Sequence, residues 1–200
     1  MAKRGTDVDL RIKRTQKAIK SAFFELLDEK SFEHISVKDI TDRALISRNT
    51  FYLHYADKYE LLNKVCDELI IKLFFRISKQ LRRVQREEFT VESIAGILRL
   101  GLMVVEENHE AYRILLCSSG IDMLSQKLNA MSRRFMDFIK DDIEGISDIS
   151  IEYIVSGITG VIKYYVNNGV DNLDEECYNF TKIHLSSIVE IARETRSKKE

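Results

Sequence analysis

The sequence predicts an all-α protein in which a small N-terminal helical domain precedes a larger helical domain. The chain of 200 residues contains no proline and only eight glycines, so few residues in it interrupt helices. Its apolar residues recur at intervals of three and four positions, which is the spacing of amphipathic helices, and no segment shows the alternation typical of strands. We place the two domains at residues 10–60 and 61–200.

Two helices are predicted before the first short turn. The first covers residues 11–29, with Ile12 and Ile19 on its apolar face and lysines on another. The second begins after Ser36, because a serine followed three positions later by an acid such as Asp39 forms a capping box at a helix N-terminus.

A short third helix and a long fourth helix follow. Ser47 is a second N-cap candidate, so we expect a helix over residues 48–55, which is too short to be stable on its own. Asp57 and Glu60 repeat the capping pattern and begin a helix that extends to about residue 83, roughly 40 Å long at 1.5 Å per residue. Its apolar stripe consists of Leu61, Val65, Leu69, Leu73, Ile77 and Leu81.

Helical spacing continues through the remainder of the chain. The charged segment RRVQREE at residues 82–88 is predicted to end the fourth helix and form a loop. Further helices are expected at residues 90–106, 109–117, 120–142, 148–167 and 174–194.

Composition argues against several classes of protein. Three widely spaced cysteines without a CxxC pair favour neither a disulfide framework nor a zinc site, and they are typical of the reducing cytosol. The first ten residues lack the apolar stretch of a secretory signal. The most apolar segment, residues 151–166, is interrupted by Glu152 and Lys163 and is too short to cross a membrane. We therefore expect a cytoplasmic protein without a cofactor or a metal site.

The second and third predicted helices have the arrangement of a helix-turn-helix, which places its second helix in a DNA major groove. At about 100° per residue, Phe51 and Tyr55 share one side of the third helix, whereas Asn49 and Leu53 lie nearly opposite. The first pair suits the protein core. The second pair is therefore predicted to face double-stranded DNA.

The residue types around this helix suit a duplex. An asparagine pairs with adenine, an arginine with guanine, and a leucine contacts the thymine methyl group, while hydroxyl, imidazole and ammonium groups contact phosphates. Residues 1–20 add seven Lys or Arg against two Asp, and Lys13 and Lys17 lie nearest the predicted site. The DNA-binding candidates are Ser36, Arg48, Asn49, Thr50, Tyr52, Leu53, His54 and Lys58.

Each candidate also has a purely structural interpretation. Ser36, Ser47 and Asp57 can be helix caps and nothing more, and the basic N-terminal stretch can be a solvated surface. His54 can fill a surface or packing role. The combination of these residues on one short segment favours the DNA-binding interpretation.

Four segments together resemble the tetracycline-repressor (TetR) family of one-component bacterial transcription regulators. They are KAIKSAFFELL, SVKDITDRA, SRNTFYLHY and DKYELL, within residues 13–62, about a quarter of the chain. The resemblance implies a homodimer on a pseudo-palindromic operator, most often as a repressor released by a small molecule. It also implies that the candidates other than Leu53 match positions that commonly touch DNA. Leu45 departs from the family, since many members carry glycine there, and a leucine at positive φ would be strained.

The C-terminal part is less informative. The segments AYRILLCSSG and IVSGITGVIKYYVNNG resemble one subclass of Gram-positive regulators. Because Gly157 and Gly160 permit close helix approach, we predict that residues 150–166 and 177–193 pair across a two-fold axis, with an intramolecular core as the alternative. An effector pocket is expected beside the fourth helix, with no ligand-binding residue assigned. Its lining is sought among Phe74, Leu102, Met103, Tyr112, Met131, Phe135 and Tyr165.

Three hypotheses of function follow. The leading one is a ligand-released, dimeric TetR-like repressor, and the alternative is a TetR-like coactivator or adaptor that binds a protein partner. The third is an enzyme, with His109 and Cys117, eight positions apart, as its candidate pair. Since the sequence contains no nucleophile elbow, phosphate-binding glycine loop or metal motif, we predict that it is not an enzyme.

Overall fold

The computed structural model describes residues 3–84, 90–118, 121–139 and 146–197, and within these ranges the chain is helical without a β-strand. The predicted all-α fold class is confirmed. None of the described helices combines the length and the hydrophobicity needed to cross a bilayer. The elements are α1 Lys3–Glu29, a 3-10 turn Phe32–His34, α2 Val37–Arg43, α3 Arg48–Tyr52, α4 Lys58–Val84, α5 Val91–Glu106, α6 His109–Cys117, α7 Met123–Ile139, α8 Asp148–Asn168, α9 Leu173–His184 and α10 Ser186–Ser197.

Several helix boundaries differ from the prediction. Helix α1 begins at Lys3, about two turns earlier than expected. Ile12 is 42% exposed, so the buried face of α1 begins only at Ile19. Helix α3 ends at Tyr52, because the chain tightens there into a turn in which the amide of residue 54 donates to the Phe51 carbonyl.

The C-terminal segment forms two helices where one was predicted. Helix α9 ends at His184, and Leu185 has φ −122° and ψ 0°, which breaks the helical path before α10 begins. Helix α7 is shorter than predicted at its N-terminal end, where it begins at Met123. Parts of the predicted loop at residues 82–88 and of the predicted helix at 120–142 lie outside the described residues.

The helices divide into two compact units. The first contains the described residues up to Glu68 together with Ile114–Met123. Its core forms where α1, α2, α3 and the start of α4 bury their apolar faces, and the Phe23 and Phe32 rings meet edge to face at 6.1 Å. Fully buried side chains in this core are Ile19, Phe23, Ile40, Phe51 and Leu61.

The second unit contains Leu69–Arg113 and the described residues from Leu124 onward. One of its apolar clusters joins Leu81 of α4 and Met136 of α7 to Ile151 of α8. Tyr112 is fully buried, and its hydroxyl donates to the Leu69 carbonyl at 3.2 Å, so this polar group is satisfied inside the unit.

The predicted capping box at the start of α2 is present. The Ser36 hydroxyl accepts a hydrogen bond from the Asp39 amide at 3.2 Å, and the Asp39 carboxylate accepts from the Ser36 amide at 2.8 Å. The carboxylate also accepts from Lys30 at 3.0 Å. The bond from the Ser36 amide, with that from Lys30, holds the pKa of Asp39 well below its usual range.

We expect the capping box to make stability depend on acid. Since its pKa is lower in the folded chain, Asp39 stabilises the fold above its unfolded pKa of about 3.9, and this contribution is lost as pH falls below that value. Asp39→Asn should lower the free energy of unfolding by about 1 kcal/mol at pH 7 and flatten its pH dependence below about pH 5. Denaturant titrations read by circular dichroism provide the measurement.

The matched control for this substitution is Asp42→Asn. Asp42 lies on the same helix, its side chain is 66% exposed, and its ion pair with Lys38 spans 3.5 Å. It should change stability little. Equal effects of the two substitutions at every pH would contradict the role given to Asp39.

Candidate nucleic-acid interface

The turn between α2 and α3 fixes where the third helix begins. The amide of Ile46 donates to the Thr41 carbonyl at 3.0 Å, and the amide of Leu45 donates to the Asp42 carbonyl at 3.3 Å. These are the two bonds of a Schellman motif, whose C′ residue takes the left-handed conformation. That residue is Leu45, with φ 55°, so the turn keeps its usual geometry although it lacks the glycine.

Helix α3 is held by a cap at its start and by aromatic side chains on its inner side. The Ser47 hydroxyl accepts a hydrogen bond from the Thr50 amide at 3.1 Å, as predicted for an N-cap. Phe51 and Tyr55 are buried, and their ring centroids lie 5.6 Å apart. Because five residues cannot form a stable helix in isolation, these contacts fix its position.

The opposite side of α3 is uncovered within its unit. We name Arg48, Asn49, Tyr52 and Leu53 the recognition face. All four are exposed, Tyr52 by 53% and Leu53 by 82%. Their spacing of one, four and five positions places them on one surface of the helix. A side-chain amide, a guanidinium, a phenol and an apolar side chain therefore project together from a positioned helix.

The remaining predicted site residues are more engaged. The Ser36 hydroxyl donates to the Asp39 carboxylate at 2.8 Å, so its hydrogen is already used within the capping box. The Thr50 hydroxyl lies 2.9 Å from that of Ser47, and either oxygen can be the donor. His54 is half-buried next to the Tyr55 ring. Of these, Thr50 and His54 remain candidates for phosphate contacts at the edge of the recognition face.

Lys58 has a structural role that the sequence did not indicate. Its ammonium donates to the carbonyl oxygens of Phe32, Glu33 and Ile35 at 2.9, 3.1 and 2.8 Å. The nitrogen also lies 4.6 Å from the centroid of the Phe32 ring. An ammonium has three hydrogens, so a phosphate contact would require breaking one of these bonds. Lys58 therefore holds the 3-10 turn and is not part of the proposed DNA surface.

The basic residues of α1 are only partly available. Lys13 pairs with Asp9 at 3.0 Å, an i,i+4 pair that the sequence could have shown. Arg14 and Lys17 are exposed and form no ion pair with any residue that the structure describes. Both side chains are therefore available to contact an anion.

Comparison with known proteins agrees with this geometry. Residues 19–65, which contain α2, α3 and the start of α4, match the family of bacterial regulatory proteins named tetR. An uncharacterized HTH-type transcriptional regulator of Bacillus subtilis (strain 168), YxbF, is 28% identical over 167 residues. The matched region covers 81% of this chain and 42% of YxbF, so this chain spans less than half the length of that relative.

Residues 19–65 therefore form a domain of the TetR type. Solved structures share the fold across 88% of the chain. A TetR-family regulator from Syntrophomonas wolfei str. Goettingen has a TM-score of 0.66 at 19% identity over 96% of its length. The dihydroxyacetone kinase operon activator DhaS has a TM-score of 0.55 at 21% identity over 97%, and the repressor AlkX from Dietzia sp. strain DQ12-45-1b has 0.52 at 14% over 98%.

The turn of this TetR-family domain stores strain at a single residue. Leu45 is 91% exposed, so its side chain contributes little to the core, while its left-handed backbone costs about 1–2 kcal/mol. Leu45→Gly should raise the free energy of unfolding by up to about 1 kcal/mol, measured by thermal denaturation. Leu53→Gly is the matched control, because that exposed leucine has φ −70° and gains nothing from glycine. A loss of stability in Leu45→Gly would refute the strain.

We also expect Lys58 to stabilise the first unit. Lys58→Met keeps most of the aliphatic chain but removes three charged hydrogen bonds, so it should lower the free energy of unfolding by about 2 kcal/mol. Lys17→Met, at an exposed lysine, is the control and should be close to neutral. Chemical denaturation of both variants gives the comparison, and an unchanged Lys58→Met midpoint would contradict the assignment.

Proposed function

We propose that this protein is a transcription regulator of the TetR type, a homodimeric repressor that binds a pseudo-palindromic operator and is released from it by a small molecule. The observation that carries the proposal is the recognition face: polar and apolar side chains exposed together on a short helix whose other side is anchored. Asn49 and Leu53 project from α3 into solvent and are not part of the core of the first unit. A DNA major groove supplies partners for both.

Each residue of the recognition face has a distinct proposed contact. Asn49 pairs with an adenine and Arg48 with a guanine, while Leu53 packs on a thymine methyl. Tyr52 donates its hydroxyl to a phosphate, which positions the helix without reading sequence. Arg14 and Lys17 add sequence-independent affinity that decreases with salt.

The exposed face of α8 supports a homodimer. Ile149, Tyr153 and Tyr164 are exposed along one side of this helix, and Ile183 of α9 is also exposed. A Cβ atom added at Gly157 or Gly160 would meet no heavy atom within 4 Å in the same chain. A second helix can therefore approach α8 closely at these glycines, in the manner of a four-helix bundle across a two-fold axis.

Helix α4 is the proposed connection between ligand and DNA. Its residues up to Glu68 belong to the first unit, and those from Leu69 onward belong to the second unit. In the second unit, Leu73, Phe74 and Ile77 line an apolar cavity of about 160 Å³. A ligand changes DNA affinity only if it prefers one conformation of the protein. A shift of α4 would change the separation of two recognition faces from the roughly 34 Å between successive major grooves.

A reporter assay tests the direction of regulation, and a binding assay tests the adaptor alternative. DhaS, which shares the fold, is named as an operon activator, and AlkX is named as a repressor. Expression of a reporter gene placed behind the upstream DNA that this protein binds should rise when the gene for the protein is deleted. A fall would indicate an activator. Binding to a protein partner that does not change with salt, without binding to DNA, would indicate the adaptor.

The role of Asn49 is tested by its removal. Asn49→Ala should weaken binding to the cognate site by about 1–3 kcal/mol while leaving non-specific DNA binding unchanged, because a base contact is lost and no phosphate contact is lost. Fluorescence anisotropy with cognate and scrambled duplexes measures both. Asn168→Ala is the control, an exposed asparagine at the end of α8 in the second unit. Equal weakening on both duplexes would place Asn49 outside the base-reading set.

The proposed dimer face is tested by placing a lysine at Gly160 and, as a control, at Gly96. Gly160→Lys should leave the helical content intact, since the added side chain meets open space in the chain, but it should produce monomers by blocking helix approach. Gly96→Lys is the matched control, because the position in α5 is equally open. Analytical ultracentrifugation gives the mass of each. A dimeric Gly160→Lys would exclude this face as the interface.

A further inference from the structure

The apolar cavity of the second unit is lined almost entirely by hydrocarbon side chains. It has a volume of about 160 Å³ and is bounded by α4, α5, α7, α8, α9, α10 and the residue between the last two. Every described side chain in its wall is aliphatic or phenyl, except Ser132, the glycine at 101 and the thioether of Met136. Ser132 is itself only 3% exposed. No charged side chain among the described residues lines the cavity.

Several charged groups of the same unit are paired with one another. Glu107 accepts from Lys72 at 2.8 Å and from Arg76, and Arg133 pairs with Glu152. A charged ligand in the cavity would lose its hydration without finding a counter-ion there. Burying an unpaired charge in this way is strongly unfavourable.

We propose that the effector of this regulator is an uncharged, mainly hydrocarbon molecule bound in this cavity. This inference rests on the proposed function, in which a small molecule releases the DNA. The volume is close to that of an engineered protein cavity of about 150 Å³ that binds benzene, so the site accommodates one aromatic ring or a short alkyl chain. The Ser132 hydroxyl is the one side-chain group in the lining that can hydrogen-bond a polar atom of the ligand.

A second cavity nearby has different chemistry and serves as the contrast. It has a volume of about 380 Å³ and shares Leu98, Leu102 and Phe180 with the first. Glu176 and Cys177 also line it, and burial raises the pKa of the Cys177 thiol to about 11, which keeps that group neutral. Only the Glu176 carboxylate would favour a charged ligand, and that ligand would be a cation. An effector with positive charge would therefore occupy the second cavity.

An apolar substitution at Gly101 would fill part of the first cavity without changing the polarity of its lining. A Cβ atom there would lie 3.5 Å from the Cδ1 atom of Ile77 and 3.9 Å from that of Leu73, which is ordinary contact with two lining residues. A larger side chain at this position therefore projects into the cavity wall. Gly96 lies on the same helix, and a Cβ atom there meets nothing within 4 Å.

The test compares toluene, benzoate and benzylammonium, which share one ring and differ in charge. Binding to the full chain without DNA is followed by methyl NMR. Toluene should shift leucine and isoleucine methyl groups of the first cavity saturably, and the two ions should bind at least 100-fold more weakly. From toluene to ethylbenzene, affinity should rise about fourfold for the added methylene. Gly101→Val should weaken toluene binding at least tenfold, and Gly96→Val should not change it.

The effect on DNA is measured separately by anisotropy. Saturating alkylbenzene should lower the affinity of the wild-type protein for its operator and have a smaller effect on Gly101→Val. Tighter binding of either ion, or equal toluene binding by the two valine variants, would overturn the cavity assignment while leaving DNA binding in place. Alkylbenzene binding without any change in operator affinity would overturn the effector role. Failure of the unliganded protein to bind any upstream DNA would instead refute the proposed repressor.

Discussion

The structure depends on holding a five-residue helix in place while leaving one of its sides uncovered. Helix α3 has too few residues to persist alone, so its position comes from the Schellman turn before it, the Ser47 cap and the burial of Phe51 and Tyr55. All of these contacts are made from the inner side or from the helix start. The recognition face therefore stays accessible, because the anchoring groups lie elsewhere.

Sequence alone indicated the parts of this arrangement that are local. Caps at Ser36 and Ser47 bond amides three positions away, so their pattern is visible in the chain. The role of Lys58 was not visible, because its carbonyl partners lie 23 to 26 positions earlier and meet it only after folding. The break at Leu185 was missed for a related reason: no proline or glycine marks it, and apolar spacing continues on both sides.

Each unit has apolar surface that its own core does not fill or cover. In the first unit, the exposed leucines at 45 and 53 gain nothing from the core, and Leu45 even retains an unfavourable φ. Stability is therefore not what these residues provide. In the second unit, an interior left partly unfilled loses packing energy. Uncovered or unfilled apolar surface at both places is understandable if DNA occupies the first and a hydrocarbon ligand the second, with α4 contributing residues to both units.

The most direct test maps the surface that DNA covers. Backbone amide shifts of the isotope-labelled protein should be recorded on titration with a duplex from its own upstream region at low salt. The largest changes should fall on residues 48–53, with smaller ones near residues 14–17, and all of them should diminish as salt is raised. Changes confined to the second unit, or a recognition face that DNA leaves unperturbed, would contradict the proposed DNA surface.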